Sequence, residues 1–142
     1  MKTRGFVVIM FAVALGFAPQ FVNTSSAASG KYSAQLISPT AGQVLYSGQK
    51  VRVEWTSVLP NIDLTACEME IFLSLDGGRT FPMVITPLLD PRARFFYWTV
   101  PNTPTNAAVL DIRFGCEHWY PESYSPQPAS TFVIRPSAGE FY

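Results

Sequence analysis

An all-β domain is the fold class this sequence predicts, and three observations predict it. Apolar residues recur with period two, twelve prolines and nine glycines punctuate those runs, and no stretch beyond the first thirty residues keeps a helical period. At 142 residues the chain has room for one domain. Ten basic against ten acidic side chains leave no electrostatic footprint for nucleic acid. Two cysteines fall short of a four-ligand zinc site, and one histidine leaves little scope for histidine-based catalysis. Neither a metal nor a cofactor is expected.

The first segment reads as an address. Lys2 and Arg4 precede a run from Gly5 to Phe17 that is wholly apolar or small. Thirteen such residues rise roughly 20 Å as a helix, short of the roughly 30 Å hydrocarbon core. A basic start, a short apolar run and the small exit Ser26-Ala27-Ala28 describe a secretory signal peptide over 1–28, with one domain over 29–142. An uncleaved N-terminal anchor is the alternative. With the signal cleaved, no membrane span is expected, and the product would be secreted, periplasmic or on the cell surface. Cleavage would leave two more acidic than basic residues.

Seven runs then follow. The first, 35–38, stops at Pro39. In 49–56, Val51, Val53 and Trp55 share one face, and Lys50, Arg52, Glu54 and Thr56 the other. In 67–75, Cys67, Met69, Ile71, Leu73 and Leu75 point inward. In 81–86, Phe81, Met83 and Ile85 point inward, and Pro82 marks an edge strand because proline cannot donate to a ladder. In 94–100, Phe96, Trp98 and Val100 face the core, leaving Phe95 and Tyr97 outside. The last two are 108–116, with Leu110, Ile112, Phe114 and Cys116 inward, and 131–135, with Phe132 and Ile134. Seven short strands in about a hundred residues predict a seven-stranded antiparallel sandwich of immunoglobulin-like (fibronectin-III-like) type. A small closed barrel is the alternative.

The cysteines test that expectation. In such a sandwich the strands holding Cys67 and Cys116 are antiparallel neighbours, and an exported chain should oxidise the pair. Placing the cysteines opposite one another sets Met69 against Phe114, Ile71 against Ile112 and Leu73 against Leu110. Glu70 then faces Arg113 on the other side, so three apolar pairs and one opposite-charge pair follow from a single register. A bridge closing so long a loop stabilises by about 4 kcal/mol in the chain-entropy account.

Ser74-Leu75-Asp76-Gly77-Gly78-Arg79-Thr80-Phe81 matches the aspartate-box pattern. Asp76 can accept backbone N–H bonds across the turn, and the glycines tolerate positive φ. In sialidase-like propellers the motif recurs once per blade; here it occurs once and reads as a folded turn. Further stretches carry a resemblance. Ile37-Ser38-Pro39-Thr40-Ala41-Gly42, Ser47-Gly48, a strand ending Trp55-Thr56, the Ser74–Phe81 turn and Trp98-Thr99-Val100-Pro101 stand in that order. This arrangement resembles an immunoglobulin-like module of exported bacterial proteins and of the Ser/Thr-rich, membrane-anchored fungal cell-wall β-glucan-synthesis family. The resemblance spans roughly residues 36–134 and implies a fold but no active site. The Ser/Thr-rich stalk and the anchor of the fungal proteins have no counterpart here, which counts against a wall-polymer role.

The candidate binding residues are aromatic. The stretch 117–128, between the last two strands, carries Trp119, Tyr120 and Tyr124 among prolines that lower the entropy lost on ordering. Those rings are placed to stack on a sugar or bury against a protein; alternatively Trp119 and Tyr124 fold back as a cap beside Cys116. Phe95 and Tyr97 form a second candidate, a binding face or a homodimer contact. His118 beside Glu117 lacks a nucleophile and reads as a loop histidine. Met69 and Met83 fall on inward positions, where core packing accounts for them better than copper. Glu68 and Glu70 read as a solvated face with Glu70 paired to Arg113. The expected function is a non-catalytic, exported immunoglobulin-like module that binds a cell-surface polysaccharide or protein through these aromatics. A structural or accessory subunit of an envelope or extracellular assembly is the alternative.

Overall fold

Alternation of apolar and polar side chains sets most strand positions in the computed structural model, which describes residues 30–137 and residue 139. The expected signal over 1–28 lies outside the described residues. Nine strands form within them: β1 (Ser33–Ser38), β2 (Val44–Tyr46), β3 (Lys50–Val58), β4 (Cys67–Ser74), β5 (Met83–Val84), β6 (Phe95–Thr99), β7 (Thr105–Cys116), β8 (Tyr120–Ser123) and β9 (Phe132–Arg135). Seven match the expected runs; β2 and β8 are additional and correct the count. β2 has three residues and pairs in parallel with the distant β9, so no hairpin signal marks it. β8 contains Pro121, which ordinarily argues against a strand, but lies along a sheet margin that tolerates it.

The strands form two sheets. One has the order β1-β3-β6; the other has β2-β9-β7-β4-β5, with β8 beside the far half of β7. Residues from both supply one core: Leu36, Val53, Trp55 and Trp98 from the first, and Leu45, Met69, Ile71, Leu73, Leu110, Ile112, Phe114, Phe132 and Ile134 from the second. The architecture is all-β, two facing layers consistent with a β-sandwich. Because successive side chains alternate sides, each strand that buries these residues must send its intervening residues to an outer face.

The β4–β7 ladder has the expected register throughout. Cys67 opposes Cys116, Met69 opposes Phe114, Glu70 opposes Arg113, Ile71 opposes Ile112 and Leu73 opposes Leu110. A disulfide joins Cys67 to Cys116 across 49 residues. The aspartate-box turn is fully bonded: Asp76 Oδ1 accepts from the amides of Arg79 and Thr80 at 3.0 and 2.9 Å, and Oδ2 accepts from Thr80 Oγ1 at 2.7 Å. These bonds, those to Thr80 above all, hold the Asp76 carboxyl far below the usual carboxylate range. Gly77 and Gly78 take φ of 78° and 88°, which side chains rarely adopt.

One inward expectation is overturned. Phe81 belongs to the turn rather than to β5, so the strand alternation does not reach it. Its ring lies on the outer face instead, 5.8 Å from the Arg113 guanidinium.

Candidate functional site

The two outer faces differ in what covers them. On the three-stranded sheet, β3 sends out Lys50, Arg52 and Glu54, and β6 sends out Phe95 and Tyr97. The register sets Arg52 opposite Tyr97 and Glu54 opposite Phe95. Phe95 and Tyr97 are 48% and 55% exposed, as their alternation with Phe96 and Trp98 requires. Their rings meet edge-on, 5.8 Å apart and 76° between planes. The Arg52 guanidinium lies 4.4 Å from the Phe95 centroid, and Lys50 Nζ lies 5.4 Å from that of Tyr97. Arg52 is also ion-paired with Glu54 at 3.3 Å. Exposed cation–π contacts of this kind contribute about 0.5–1 kcal/mol each and hold the rings in place. Lys50 and Arg52 were legible as outward residues, yet nothing local in the sequence joins them to an aromatic pair some forty-five residues away.

The other face closes on itself. Arg113 Nε donates to Asp111 Oδ2 at 2.7 Å, and its guanidinium lies 3.7 Å from the Phe72 centroid and 4.6 Å from that of Tyr124. Asp111 is buried, and its Oδ1 accepts from the Ser125 amide at 2.8 Å. The expected Glu70–Arg113 ion pair does not form: Arg113 reaches Asp111 and, at 3.6 Å, Glu122. Register places Glu70 opposite Arg113, but a long side chain bonds where neighbouring strands converge, and β8 brings Glu122 there. Glu70 is left in a depression of about 250 Å³ with Glu68, Glu117, Glu122 and Tyr120. Burial, then the charges of Glu68 and Glu122, push its carboxyl up against the opposing pull of Arg113. Among the described residues, no group of three or more His, Cys, Asp or Glu side chains is arranged to hold a metal ion.

The 117–128 stretch divides by residue. Tyr120 turns inward, its ring 5.2 Å from that of Phe114 and its hydroxyl accepting from the Tyr32 amide at 3.4 Å. It is partly buried and packs one side against the core, while still lining the depression beside Glu70. Tyr124 stays exposed but is engaged, beside Arg113 and bonded to Glu122, which raises its hydroxyl pKa. Trp119 is 48% exposed on the turn that holds His118 at φ 69°, with His118 Nε2 3.0 Å from Glu117 Oε1. Neither Trp119 nor Tyr124 forms the inward cap that was the alternative to a binding role; Tyr120 lies there instead. Phe95 and Tyr97 belong to the other sheet, and no ring contact links them to the 119–124 aromatics among the described residues.

The same stretch ends in a latch that sequence reasoning missed. Backbone bonds from Gln127 N to Leu110 O at 2.8 Å and from Ile112 N to Ser125 O at 3.3 Å lay it along β7. Its side chains then reach the opposite sheet. Ser125 Oγ accepts from the Ala34 amide and donates to the Ala34 carbonyl; Gln127 accepts from the Leu36 amide and donates to the Ala34 carbonyl. These bonds cover the outer edge of β1.

No family model matches the chain, and no curated protein matches it. Within the described residues no helix is long and apolar enough to cross a membrane. The formed disulfide fits an oxidising compartment.

Proposed function

We propose that this chain is an exported, non-catalytic binding module of immunoglobulin-like type that recognises a protein surface through the Phe95–Tyr97 face. The observation that carries the reading is the exposed aromatic pair, flanked by Arg52 and Lys50 on a sheet face that no other described segment covers. Aromatic and Arg side chains are the types that anchor protein interfaces. A polysaccharide, the other ligand class the sequence suggests, is less well served. Sugar stacking needs an open ring face, whereas these rings meet edge-on and each has a cation above it. The immunoglobulin-like reading draws support from the adjacency of β1, β3 and β6 in one sheet, the centrality of β7 in the other, and the parallel β2–β9 pair. The resemblance to the module of exported bacterial and fungal wall proteins agrees with it.

Placing a photo-crosslinking residue at position 97 of the exported protein tests the reading in the producing cells. Expected is a discrete adduct with a foreign protein, in addition to any adduct between copies of the chain, and absent when the probe sits at Val84 on the other sheet. Equal labelling from both positions, or adducts with glycan alone, refutes it.

A further inference from the structure

We propose that the outer edge of β6, which no described strand pairs, is a strand-addition site for a second copy of this chain, the two β6 strands pairing antiparallel about Tyr97. The inference goes beyond the binding face, since it concerns the backbone edge and not the ring surface.

The hydrogen-bond parity of the β3–β6 ladder is fixed at both ends. Val100 N donates to Gln49 O at 2.9 Å, and Trp55 N donates to Arg94 O at 3.0 Å. Bonded pairs in an antiparallel ladder recur every second residue, so Phe96 and Trp98 also turn their peptide groups toward β3. Phe95, Tyr97 and Thr99 therefore turn theirs outward, at the margin of a sheet whose order ends with β6.

The remaining edges carry protection. That of β1 is bonded by Ser125 and Gln127. β5 is two residues long and flanked by Pro82 and Pro87, β2 is three residues long, and β8 has four residues with Pro121 among them. Short strands, prolines and covering segments are the usual defences against edge pairing. β6, Phe-Phe-Tyr-Trp-Thr, has five residues of high β-propensity with no proline, glycine or charge.

The edge is also self-complementary. A two-fold axis at Tyr97 sets Tyr97 against its own copy and Phe95 against Thr99, each with outward peptide groups facing outward peptide groups. On the outer face the exposed rings of Phe95 and Tyr97 from both copies become neighbours. On the inner face Phe96, only partly buried in one copy, comes opposite Trp98 of the other. Such aromatic pairs stabilise neighbouring strands, and no like charges are brought into opposition between 95 and 99. A two-fold interface needs the same patch to match itself, and this one does.

Sedimentation velocity of the full exported protein tests the proposal with two variants, Tyr97→Lys and Tyr97→Glu. Tyr97 is exposed, so both variants should retain the wild-type circular dichroism. The wild type should sediment as a concentration-dependent dimer. Each variant alone should be a monomer, because like charges would face across the axis, and an equimolar mixture should recover a dimer. A wild type that stays monomeric at high micromolar concentration overturns the proposal, as does a dimer that persists in both variants or a mixture that stays monomeric. A strand from a different co-purifying protein on this edge would also overturn it. Because a monomer can still cross-link a foreign protein from position 97, failure here leaves the binding-face reading standing.

Discussion

The outer faces of the two sheets carry comparable side chains in opposite states. Around β7, one arginine, two carboxylates and three aromatics are drawn into a single bonded cluster: Arg113 with Asp111 and Glu122, beside Phe72, Phe81 and Tyr124. Around β6, two aromatics and two cations touch one another yet remain half exposed. The difference lies in the neighbouring chain. The turn at 76–81 and the 120–127 stretch come back over β7, and among the described residues no segment comes back over β3 and β6. Aromatic and charged residues at a sheet surface are structural where a third segment covers them and available where none does.

Arg113→Ala is the sharpest way to break that contrast. It strands the Asp111 carboxylate, whose side chain is 2% exposed, without its cation, and leaves the rings packed on the guanidinium unsupported. A loss of about 3 kcal/mol in urea unfolding is expected. A loss below about 1 kcal/mol, typical of an exposed pair, would put the two faces in the same class.

Glu70→Gln should have a smaller effect of opposite sign. The folded-state pKa of Glu70 is raised, so its contribution to stability is present below its unfolded pKa and is lost as pH rises through the folded value. At pH 7 the Gln variant escapes that loss and should unfold at slightly higher urea than the wild type. The difference should shrink on acidification through the carboxylate range. A variant less stable at pH 7 would mean that Glu70 is favourably paired after all.

Tyr97→Ser should cost far less than Arg113→Ala, about 1 kcal/mol or less, because the ring covers no core and makes only exposed contacts. Chemical denaturation measures it. A loss near that of Arg113→Ala would show that the open face is structural too.

Much of the scaffold was legible because it rests on near-neighbour rules. Alternation placed Val53, Trp55, Met69, Ile71, Leu73 and Trp98 inside and Phe95 and Tyr97 outside. Assuming one cysteine pair fixed eight residues of the β4–β7 register, because a slip by one would have turned every apolar residue outward. The same register misdirected the electrostatics. Glu70 does oppose Arg113, but the ion pairs were decided by Asp111 two residues along and by β8, a strand that Pro121 concealed. Tyr120 was read as a candidate binder because it stands with Trp119 and Tyr124 in a proline-rich stretch between strands, whereas its contacts with Phe114 and Tyr32 depend on how the chain returns. Ser125 and Gln127 bond to β1 from about ninety residues away, and no local pattern encodes that.

By itself, then, the order of residues determined which side chains are apolar, how they alternate, where prolines and glycines interrupt, and which thiols can meet. Those properties act over a few residues or through one symmetric pairing. Which outer face is roofed, which edge is latched and which is left open were decided by the tertiary path of the 76–81 and 117–128 segments. Coverage of a surface depends on what arrives from elsewhere in the chain.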